Sequence, residues 1–202
     1  ALRDILFGEK PVDFDILTDK SIDELKKNFH LIKTSNNFEI YILKYGKSLF
    51  EITFINSKNE LQENALHRDF TINSLVYDLI NKKLIDFSTS EDDIINKILR
   101  TPITPEKTFH NDKIRTLRAL RFIIKYKLKI NDELKIFLQE NLSLFQEAAD
   151  ERIYAEYIKL INEIKNFSDI KILDEYKFFD ILFPEISATK KCTQNIHHQF
   201  NV

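Results

Sequence analysis

Two acidic residues, Asp13 and Asp15, alternate with apolar residues in the stretch PVDFDILTD. Side chains at positions i and i+2 of a strand point to the same side of the sheet, so a strand here would bring the two carboxylates together. Two carboxylates that lie so close repel each other, and a divalent cation removes that repulsion. Ligands that offer only oxygen select Mg²⁺ or Mn²⁺, and substrate phosphates usually complete the shell. The alternative is the solvated face of an edge strand, and this stretch alone does not exclude it.

A third acid could complete such a site. Glu51 lies in LFEITF, which has the pattern of a neighbouring strand, and it is a candidate ligand. Two metal ions held about 3.5–4 Å apart by Asp13, Asp15 and this third acid would contact both the attacking and the leaving oxygen of a phosphoryl transfer. A single acid on a strand is common, so a purely structural role for Glu51 stays open.

A second constellation is HRDFTINSLVYD, residues 67–78, in which Arg68 and Asp69 adjoin just before an apolar run. An arginine at this position could hold the ribose or a phosphate of a nucleotide while the aspartate orients it. The alternative is a structural ion pair at the start of a helix.

A third constellation is NDKIRTLRALRF, residues 111–122, which has the apolar periodicity of a helix. Projected at about 100° per residue, Asp112, Arg115 and Arg118 fall on the polar half of the wheel and Arg121 falls at its border. The simplest interpretation is a solvated helix face with an i,i+3 pair between Asp112 and Arg115. The alternative is that these side chains bind a nucleotide.

The functional interpretation of this segment is a protein template for a base. A carboxylate such as that of Asp112 accepts a hydrogen bond from an exocyclic amine, and an arginine such as Arg115 donates one to the neighbouring ring nitrogen. Cytosine and adenine both present that edge, whereas uracil and guanine place a carbonyl opposite the carboxylate. The remaining arginines, Arg118 and Arg121, would suit a triphosphate.

The elements that must position these residues change character along the chain. The first half predicts a helix that Gly8 ends, a period-2 strand over 12–18, and a helix that begins with Ser21 and Glu24 as a capping box. Strand-like runs follow over 39–45 and 48–54, and then a hairpin centred on residues 81–83. The second half predicts helices over 111–129, 131–145, 150–165 and 168–182, with prolines at 102 and 105 before them. The fold class expected is therefore α+β, with a mixed head to about residue 106 followed by an all-helical arm.

Composition and charge exclude several protein classes. The chain has 202 residues, 43% of them hydrophobic and 31% charged, which is typical of a folded protein. The single cysteine, Cys192, excludes an internal disulfide framework. No apolar run approaches a membrane span, so we expect a soluble cytoplasmic protein with no membrane contact. The net charge is −2, yet Asp112 is the only acid between Lys107 and Lys129, and this local basic patch is what a phosphate ligand needs.

Taken together and in this order, these segments resemble the class II tRNA nucleotidyltransferase (CCA-adding enzyme) and bacterial poly(A) polymerase family, which belongs to the polymerase β-like nucleotidyltransferases. The motifs that carry the resemblance are ALRDILFGEKPVDFDILTD, HRDFTINSLVYD, DFSTSEDDIINKILRT, NDKIRTLRALRF, ERIYAEYIKLI and FFDILFPEI. Together they span nearly the whole chain.

The chain also departs from the family pattern. His67 replaces the first arginine of an Arg-Arg-Asp motif, and Asn111 replaces a glutamate before Asp112. Thr89 and Ser90 stand where the family often has two glycines. A glycine pair that the family places just before the first motif is absent, so we expect an incomplete N-terminus.

The resemblance implies a role for each matching residue. Asp13 and Asp15 would be the catalytic ligands of two Mg²⁺ ions, or of Mn²⁺, and Arg3 would contact the triphosphate. Arg68 would hold the incoming nucleotide together with Asp69. Further along the chain, the base edge would be read and the phosphate side contacted by Asp112, Arg115, Arg118 and Arg121.

The resemblance also implies a domain order and an activity. We expect a polymerase β-like head over residues 1–106, a base-selecting, RNA-binding helical neck over 107–163, and the start of a helical body over 164–202. The activity would be template-independent addition of C and A to the 3′ end of tRNA, from CTP and ATP, on the acceptor end of the tRNA. The alternatives are a poly(A) polymerase, an enzyme that adds only CC or only A, and, in a different class, a non-catalytic module that binds RNA or nucleotide. The sequence indicates no protein partner.

Overall fold

The structure, a computed structural model, divides the chain into two compact units, Ala1–Asn96 and Lys97–Val202. The residues that it describes are 1–11, 13–33, 40–46 and 48–189. The predicted α+β class, with a mixed first half and a helical second half, is confirmed. Val12, which the sequence assigned to a strand, lies outside the described residues.

The first unit is built on a four-stranded mixed sheet. Its elements are α1 (Leu2–Leu6), β1 (Phe14–Thr18), α2 (Ile22–Lys26), β2 (Leu31–Lys33), β3 (Ile40–Tyr45), β4 (Ser48–Phe54), α3 (Lys58–Leu66), a 3₁₀ helix (Thr71–Asn73), β5 (Val76–Asp78), β6 (Lys83–Ile85) and α4 (Ser90–Asn96). The strand order is β1-β4-β3-β2, with β1 parallel to β4 and the other pairs antiparallel. This order places β1 beside β4.

Local signals in the sequence account for most of these elements. Gly8 and Gly46 adopt φ angles of +77° and +60°, where glycine has no steric penalty, and they follow α1 and join β3 to β4. Ser21 caps α2 in a capping box with Glu24, whose carboxylate accepts the Ser21 backbone N–H at 3.0 Å. The predicted hairpin is confirmed as β5 and β6.

The 3₁₀ helix is fixed by buried contacts on both sides. Phe70 and Ile72 are fully buried, and the Thr71 hydroxyl donates a 2.8 Å hydrogen bond to the carboxylate of Asp93 in α4. These contacts hold the segment that follows Arg68 against the rest of the unit.

Over residues 97–189, which the structure describes, the second unit is helical apart from one short strand pair. Its elements are β7 (Ile98–Leu99), α5 (Pro105–Asn111), α6 (Arg115–Tyr126), β8 (Lys129–Ile130), α7 (Asp132–Asn141), a 3₁₀ helix (Leu142–Glu147), α8 (Asp150–Glu163), α9 (Phe167–Glu175), α10 (Phe178–Leu182) and α11 (Pro184–Thr189). Helix α6 forms the core of the unit, with Leu117, Leu120 and Ile124 fully buried. None of the helices within the described residues is long and apolar enough to cross a membrane.

Three details of this unit differ from the sequence-based expectation. The helix predicted over 111–129 begins only at Arg115. The helix predicted over 168–182 is two helices, because Lys177 takes a left-handed φ of 56° between α9 and α10. The expected head, which extends to residue 106, includes Ile98 and Leu99, and these two residues form β7, which pairs in parallel with β8 of the second unit. The domain boundaries at residues 106 and 163 stay predictions.

Buried Asp169 should make the stability of the chain depend on pH. Burial alone raises the pKa of its carboxyl, but hydrogen bonds from the Lys127 ammonium and the backbone N–H of Lys165 outweigh burial, so the pKa lies below its ordinary value. A carboxyl whose pKa is lowered on folding stabilises the folded state at pH values above its unfolded-state pKa. That stabilisation is lost as the pH falls through its folded-state pKa. Asp169→Asn should therefore lower the free energy of unfolding by about 1–3 kcal/mol at neutral pH.

Urea unfolding at several pH values measures this effect. The gap between Asp169→Asn and wild type should close as the pH falls below about 4, where the unfolded-state carboxyl protonates. Glu140→Gln, an exposed acid of α7, is the control and should change little at any pH. A gap that stays constant down to acid pH would show that packing, not the carboxylate charge, is responsible.

Candidate active site

The predicted acid pair lies at the beginning of β1. Asp13 precedes the strand, which starts at Phe14, and Asp15 is the second residue of the strand. Both residues are exposed, and the Asp15 side chain keeps 47% of its accessible surface. The predicted strand is therefore present, but it begins one residue after Asp13.

The candidate third acid lies beside Asp15. Glu51 of β4 is the register partner of Asp15 in the parallel pair, so both side chains project from the same face of the sheet, one strand spacing of about 4.8 Å apart. The sequence predicted that Glu51 would lie on a neighbouring strand, and the register establishes this.

The carboxylates suit a divalent cation that keeps part of its shell open. Among the residues that the structure describes, no group of three or more His, Cys, Asp or Glu side chains is arranged to hold a metal ion. The three predicted acids, Asp13, Asp15 and Glu51, therefore do not form such a group. The two neighbouring exposed carboxylates, Asp15 and Glu51, fit Mg²⁺, which proteins usually bind through one or two acids plus water and substrate phosphates. The ligand roles of Asp13, Asp15 and Glu51 stay predictions.

Arg68 lies next to the acid pair. Its Nη1 is 3.8 Å from Oδ2 of Asp15, and its Nη2 donates to the side-chain carbonyl of Asn64 at 3.2 Å. The structure thus brings together two predicted site residues that are far apart in the sequence. A guanidinium at this place can contact a phosphate that approaches the carboxylates.

Asp69 differs from the sequence-based interpretation. Its side chain is buried, and Oδ1 accepts hydrogen bonds from the Phe70 backbone N–H at 2.9 Å and from the Asn73 amide at 2.7 Å. These bonds shape the turn between α3 and the 3₁₀ helix. A nucleotide contact by Asp69 stays a prediction, and the hydrogen bonds of its carboxylate favour a supporting role in the site proposed below.

Arg3 is anchored on both sides. Its Nε and Nη2 donate to Oδ1 of Asp4 at 3.0 and 2.7 Å, and its Nη1 donates to Oδ1 of Asn73 at 2.7 Å. The guanidinium is thereby tied to the same amide that contacts Asp69. Arg3, Arg68 and the three candidate acids all belong to the first unit.

In the second unit, Asp112 does not share a helix with Arg115. It is the C-cap of α5, with an extended backbone at φ −157° and ψ 108°, and α6 begins three residues later. Its Oδ2 accepts a 2.8 Å hydrogen bond from Arg152 of α8, while Nη1 of Arg115 donates to the Thr108 carbonyl at 3.2 Å. The single-helix projection was wrong for Asp112, because the chain turns after Asn111.

The two remaining arginines of α6 both contact an aromatic ring. The guanidinium carbons of Arg118 and Arg121 lie 5.5 and 4.4 Å from the centre of the Phe122 ring. Arg121 is 9% exposed, and its Nε bonds to the buried carboxylate of Glu156 in α8. The geometry makes Arg121 a structural residue of the α6–α8 pair, so the nucleotide site proposed below does not include it.

The basic run between residues 107 and 129 is partly neutralised. The ion pairs involved are Lys113 with Glu147, Lys125 with Glu163, and Lys127 with Asp169. The acids all come from later helices, so the patch predicted from the local sequence is less basic than the sequence suggests.

Comparison with known protein families identifies both halves of the chain. Residues 1–100 match the family described as Poly A polymerase head domain, and residues 127–190 match the one described as Probable RNA and SrmB-binding site of polymerase A. The chain belongs to the poly(A) polymerase family. The resemblance inferred from the motifs is thereby confirmed. Nucleotidyltransferases of this family generally use divalent metals.

Individual relatives carry two kinds of name. Poly(A) polymerase I of Salmonella typhi is 28% identical over 96% of the chain and 47% of the relative, and the CCA-adding enzyme of Lactobacillus helveticus is 30% identical over 79% of the chain and 44% of the relative. The crystal structure of the Bacillus stearothermophilus CCA-adding enzyme in complex with CTP aligns with a TM-score of 0.75 at 26% identity, over 87% of the chain and 46% of that protein. The chain spans less than half the length of these proteins.

Three residues with a place in these networks were missed by sequence reasoning. Asn73 lies four residues after Asp69 in the motif HRDFTINSLVYD, but nothing in its residue type indicates that it would bond to Arg3. Glu156 offered a signal, since it interrupts the apolar side of α8 and a buried acid needs a partner. Arg152 lies one helical turn before Glu156, and nothing in its residue type indicates that it would bond to Asp112.

Proposed function

We propose that the chain contains the nucleotidyl-transferring part of an enzyme that adds C and A to the 3′ end of tRNA without a nucleic-acid template. The observation that carries the proposal is the pair of neighbouring exposed carboxylates, Asp15 and Glu51, with Arg68 at 3.8 Å from Asp15. Carboxylates that can hold Mg²⁺, beside a guanidinium that can bind phosphate, are groups that can stabilise the charge in the transfer of a nucleotidyl group. In this proposal the substrates are CTP, ATP and the acceptor end of tRNA.

The residues of the first unit would act on the triphosphate. Arg68 and Arg3 would bind its phosphate oxygens and orient the α-phosphate toward the 3′-hydroxyl of the RNA. The hydroxyl oxygen would form the new bond to the α-phosphorus and lose its proton to solvent, while the bond to the β-phosphate breaks and pyrophosphate leaves. Asp13, Asp15 and Glu51 would hold Mg²⁺, two ions in the full site, or Mn²⁺ in its place. When bound, these ions would lower the barrier by neutralising the charge that develops on the attacking and leaving oxygens.

Residues of the second unit would select the base. Asp112 would accept from the exocyclic amine of cytosine or adenine, and Arg115 would donate to the adjacent ring nitrogen. Arg152 holds the Asp112 carboxylate through a 2.8 Å bond, which limits its freedom before a base binds. Arg118 would support the phosphate side.

RNA binding is proposed for the second unit as well. The support is the match of residues 127–190 to a probable RNA-binding family, together with the basic run that precedes and enters it. Three lysines of that run are paired with acids, so counterion release on RNA binding has to come mainly from other basic residues. The cytoplasmic location expected from the sequence stays a prediction.

A second candidate is poly(A) addition. Its support is that Poly(A) polymerase I of Salmonella typhi aligns over 96% of the chain, a larger share than the 79% covered by the Lactobacillus helveticus CCA-adding enzyme. Both activities would use the same acids and arginines. They differ in which nucleotide is accepted and in how many are added.

Incubation of the full-length protein with defined RNAs separates these activities. The RNAs are a tRNA transcript that lacks CCA, one that ends in CC, and an unrelated RNA, each with one NTP at a time. We expect CTP to be used on the first transcript, ATP on the second, and neither UTP nor GTP on any. Long A tracts on the unrelated RNA would instead identify a poly(A) polymerase. Binding of RNA without incorporation of any NTP would support a non-catalytic module and overturn the proposal.

A further inference from the structure

One asparagine joins Arg3 to the residue next to Arg68, and the proposed function assigns both of these arginines to the triphosphate. The side-chain carbonyl of Asn73 accepts from Nη1 of Arg3 at 2.7 Å, and its amide donates to Oδ1 of Asp69 at 2.7 Å. Asp69 adjoins Arg68, whose guanidinium lies 3.8 Å from Asp15. A connected series of residues therefore runs from α1, through the 3₁₀ helix and the adjoining Asp69 and Arg68, to Asp15 of β1.

The chemistry of this link suits an asparagine. A guanidinium only donates hydrogen bonds and a carboxylate only accepts them, so the group between them must do both in fixed directions. The amide of Asn73 offers one acceptor and one donor at the required spacing. An aspartate at the same place would set a second carboxylate against Asp69, and leucine would fill the space without either bond.

Asp4 completes the restraint on Arg3. Asp4 accepts hydrogen bonds from Nε and Nη2 of Arg3, and Asn73 accepts one from Nη1. The two residues therefore hold two edges of the planar guanidinium. Arg3 lies on α1, a helix of only five residues, which gives little rigidity of its own. The orientation of this guanidinium therefore depends on the side chains that bind it.

We propose that Asn73 is a positioning residue that sets the guanidinium of Arg3 for the triphosphate and couples it to the turn that carries Arg68. The inference rests on the proposed function, in which Arg3 and Arg68 bind the phosphates. Asn73 itself contacts neither substrate nor metal in this role. It acts on nucleotide affinity through Arg3.

A merely structural role for Asn73 has a matched control. Thr71 lies in the same 3₁₀ helix, is buried, and donates a 2.8 Å hydrogen bond to Asp93. Thr71→Val removes a buried hydrogen bond from the same segment without touching Arg3. If the segment only needs to be stable, Thr71→Val and Asn73→Leu should affect nucleotide use alike.

The experiment is a double-mutant cycle on the full-length protein. Asn73→Leu, Arg3→Ala and their combination are compared by KM and kcat for ATP and CTP, by equilibrium dialysis of ATP and by thermal unfolding. We expect Asn73→Leu to raise KM and the dissociation constant of ATP by about tenfold, the size of one charge-assisted hydrogen bond, with kcat changed by less than about threefold. In the Arg3→Ala background, Asn73→Leu should add almost nothing, since the group that it positions is gone. Thr71→Val should lower the unfolding temperature and leave KM unchanged.

Other results of the same experiment would overturn the positioning role of Asn73. An equal rise of KM in both backgrounds, or a rise with Thr71→Val that matches Asn73→Leu, would overturn the inference. Wild-type KM in Asn73→Leu would also overturn it and would leave the proposed function standing. If the wild-type protein neither binds ATP nor incorporates a nucleotide, the proposed function fails, and the positioning role fails with it.

Discussion

Asp15→Asn is expected to reduce kcat for nucleotide incorporation by a factor of about 10²–10³ or more, because it removes a proposed ligand of the Mg²⁺ that would neutralise the negative charge on the attacking and leaving oxygens. Asparagine keeps the size and shape of the side chain, and the Asp15 side chain is 47% exposed, so the substitution opens no cavity. The unfolding temperature should therefore stay close to that of the wild type. Single-nucleotide incorporation on a tRNA that lacks its last residues measures the effect.

A neighbouring acid provides the control for this substitution. Asp19 is exposed, follows the end of β1, and carries the same charge. Asp19→Asn should leave kcat near the wild-type value, so that a loss at Asp15 cannot be ascribed to net charge. Asp13→Asn should behave like Asp15→Asn. Glu51→Gln distinguishes a third ligand, with a large loss of rate, from a structural acid, with a small one.

Asp15→Asn also affects the neighbouring Arg68, and the Mg²⁺ dependence of the rate separates this effect from the loss of a metal ligand. Nη1 of Arg68 lies 3.8 Å from Asp15, so Asp15→Asn also changes the electrostatic environment of this arginine. If the acid binds Mg²⁺, the variant should need a higher Mg²⁺ concentration for half-maximal rate. If the acid only orients Arg68, the rate should fall without any change in that concentration. A near-wild-type rate with unchanged Mg²⁺ dependence would remove Asp15 from the site.

The elements predicted correctly are those that local chemistry determines. Strands β3 and β4 are strand-like runs on either side of Gly46, and Ser21 and Glu24 are spaced as a capping box. Each of these signals acts within a few residues, so the chain order alone reveals it. The same holds for the hairpin formed by β5 and β6.

The failures concern residues whose partners are distant in the sequence. Arg121 has the periodicity of a border residue on α6, but Glu156, 35 residues away, pairs with it and buries it. The turn after Asn111 breaks the helix that periodicity extended through Asp112. A helical projection assumes one continuous helix and a known buried side, and both are set by tertiary packing.

The candidate site was predictable by residue type but not by arrangement. Paired acids and an adjoining arginine indicated phosphate chemistry, and the fold places Arg68 beside Asp15. The burial of Asp69 and the link through Asn73 could not be predicted, because an amide has no charge pattern to reveal its partners. Residue types thus identify the groups that react, whereas tertiary packing determines which groups support them.

Base selection by Asp112 gives the second large effect. If its carboxylate accepts from the base amine, Asp112→Ala removes both the attraction for an amine and the repulsion of a carbonyl. Discrimination of CTP from UTP and of ATP from GTP should fall by about 1–3 kcal/mol, or one to two decades in the ratio of kcat/KM. Arg115→Ala should lower kcat/KM for CTP and ATP alike, since both bases would accept a hydrogen bond from the donor that the substitution removes. The measurement is kcat/KM for all four NTPs on a tRNA that lacks its last residues.

The bond from Arg152 supplies the competing explanation and its control. Asp112 accepts from Arg152 at 2.8 Å, so it could serve only to join the end of α5 to α8. Arg152→Met removes that bond and leaves the carboxylate in place. If Asp112 reads the base, Arg152→Met should keep most of the preference for CTP and ATP, whereas Asp112→Ala should lose it. If both variants lower activity equally for all four NTPs, the pair is structural, and the choice of base must come from other residues.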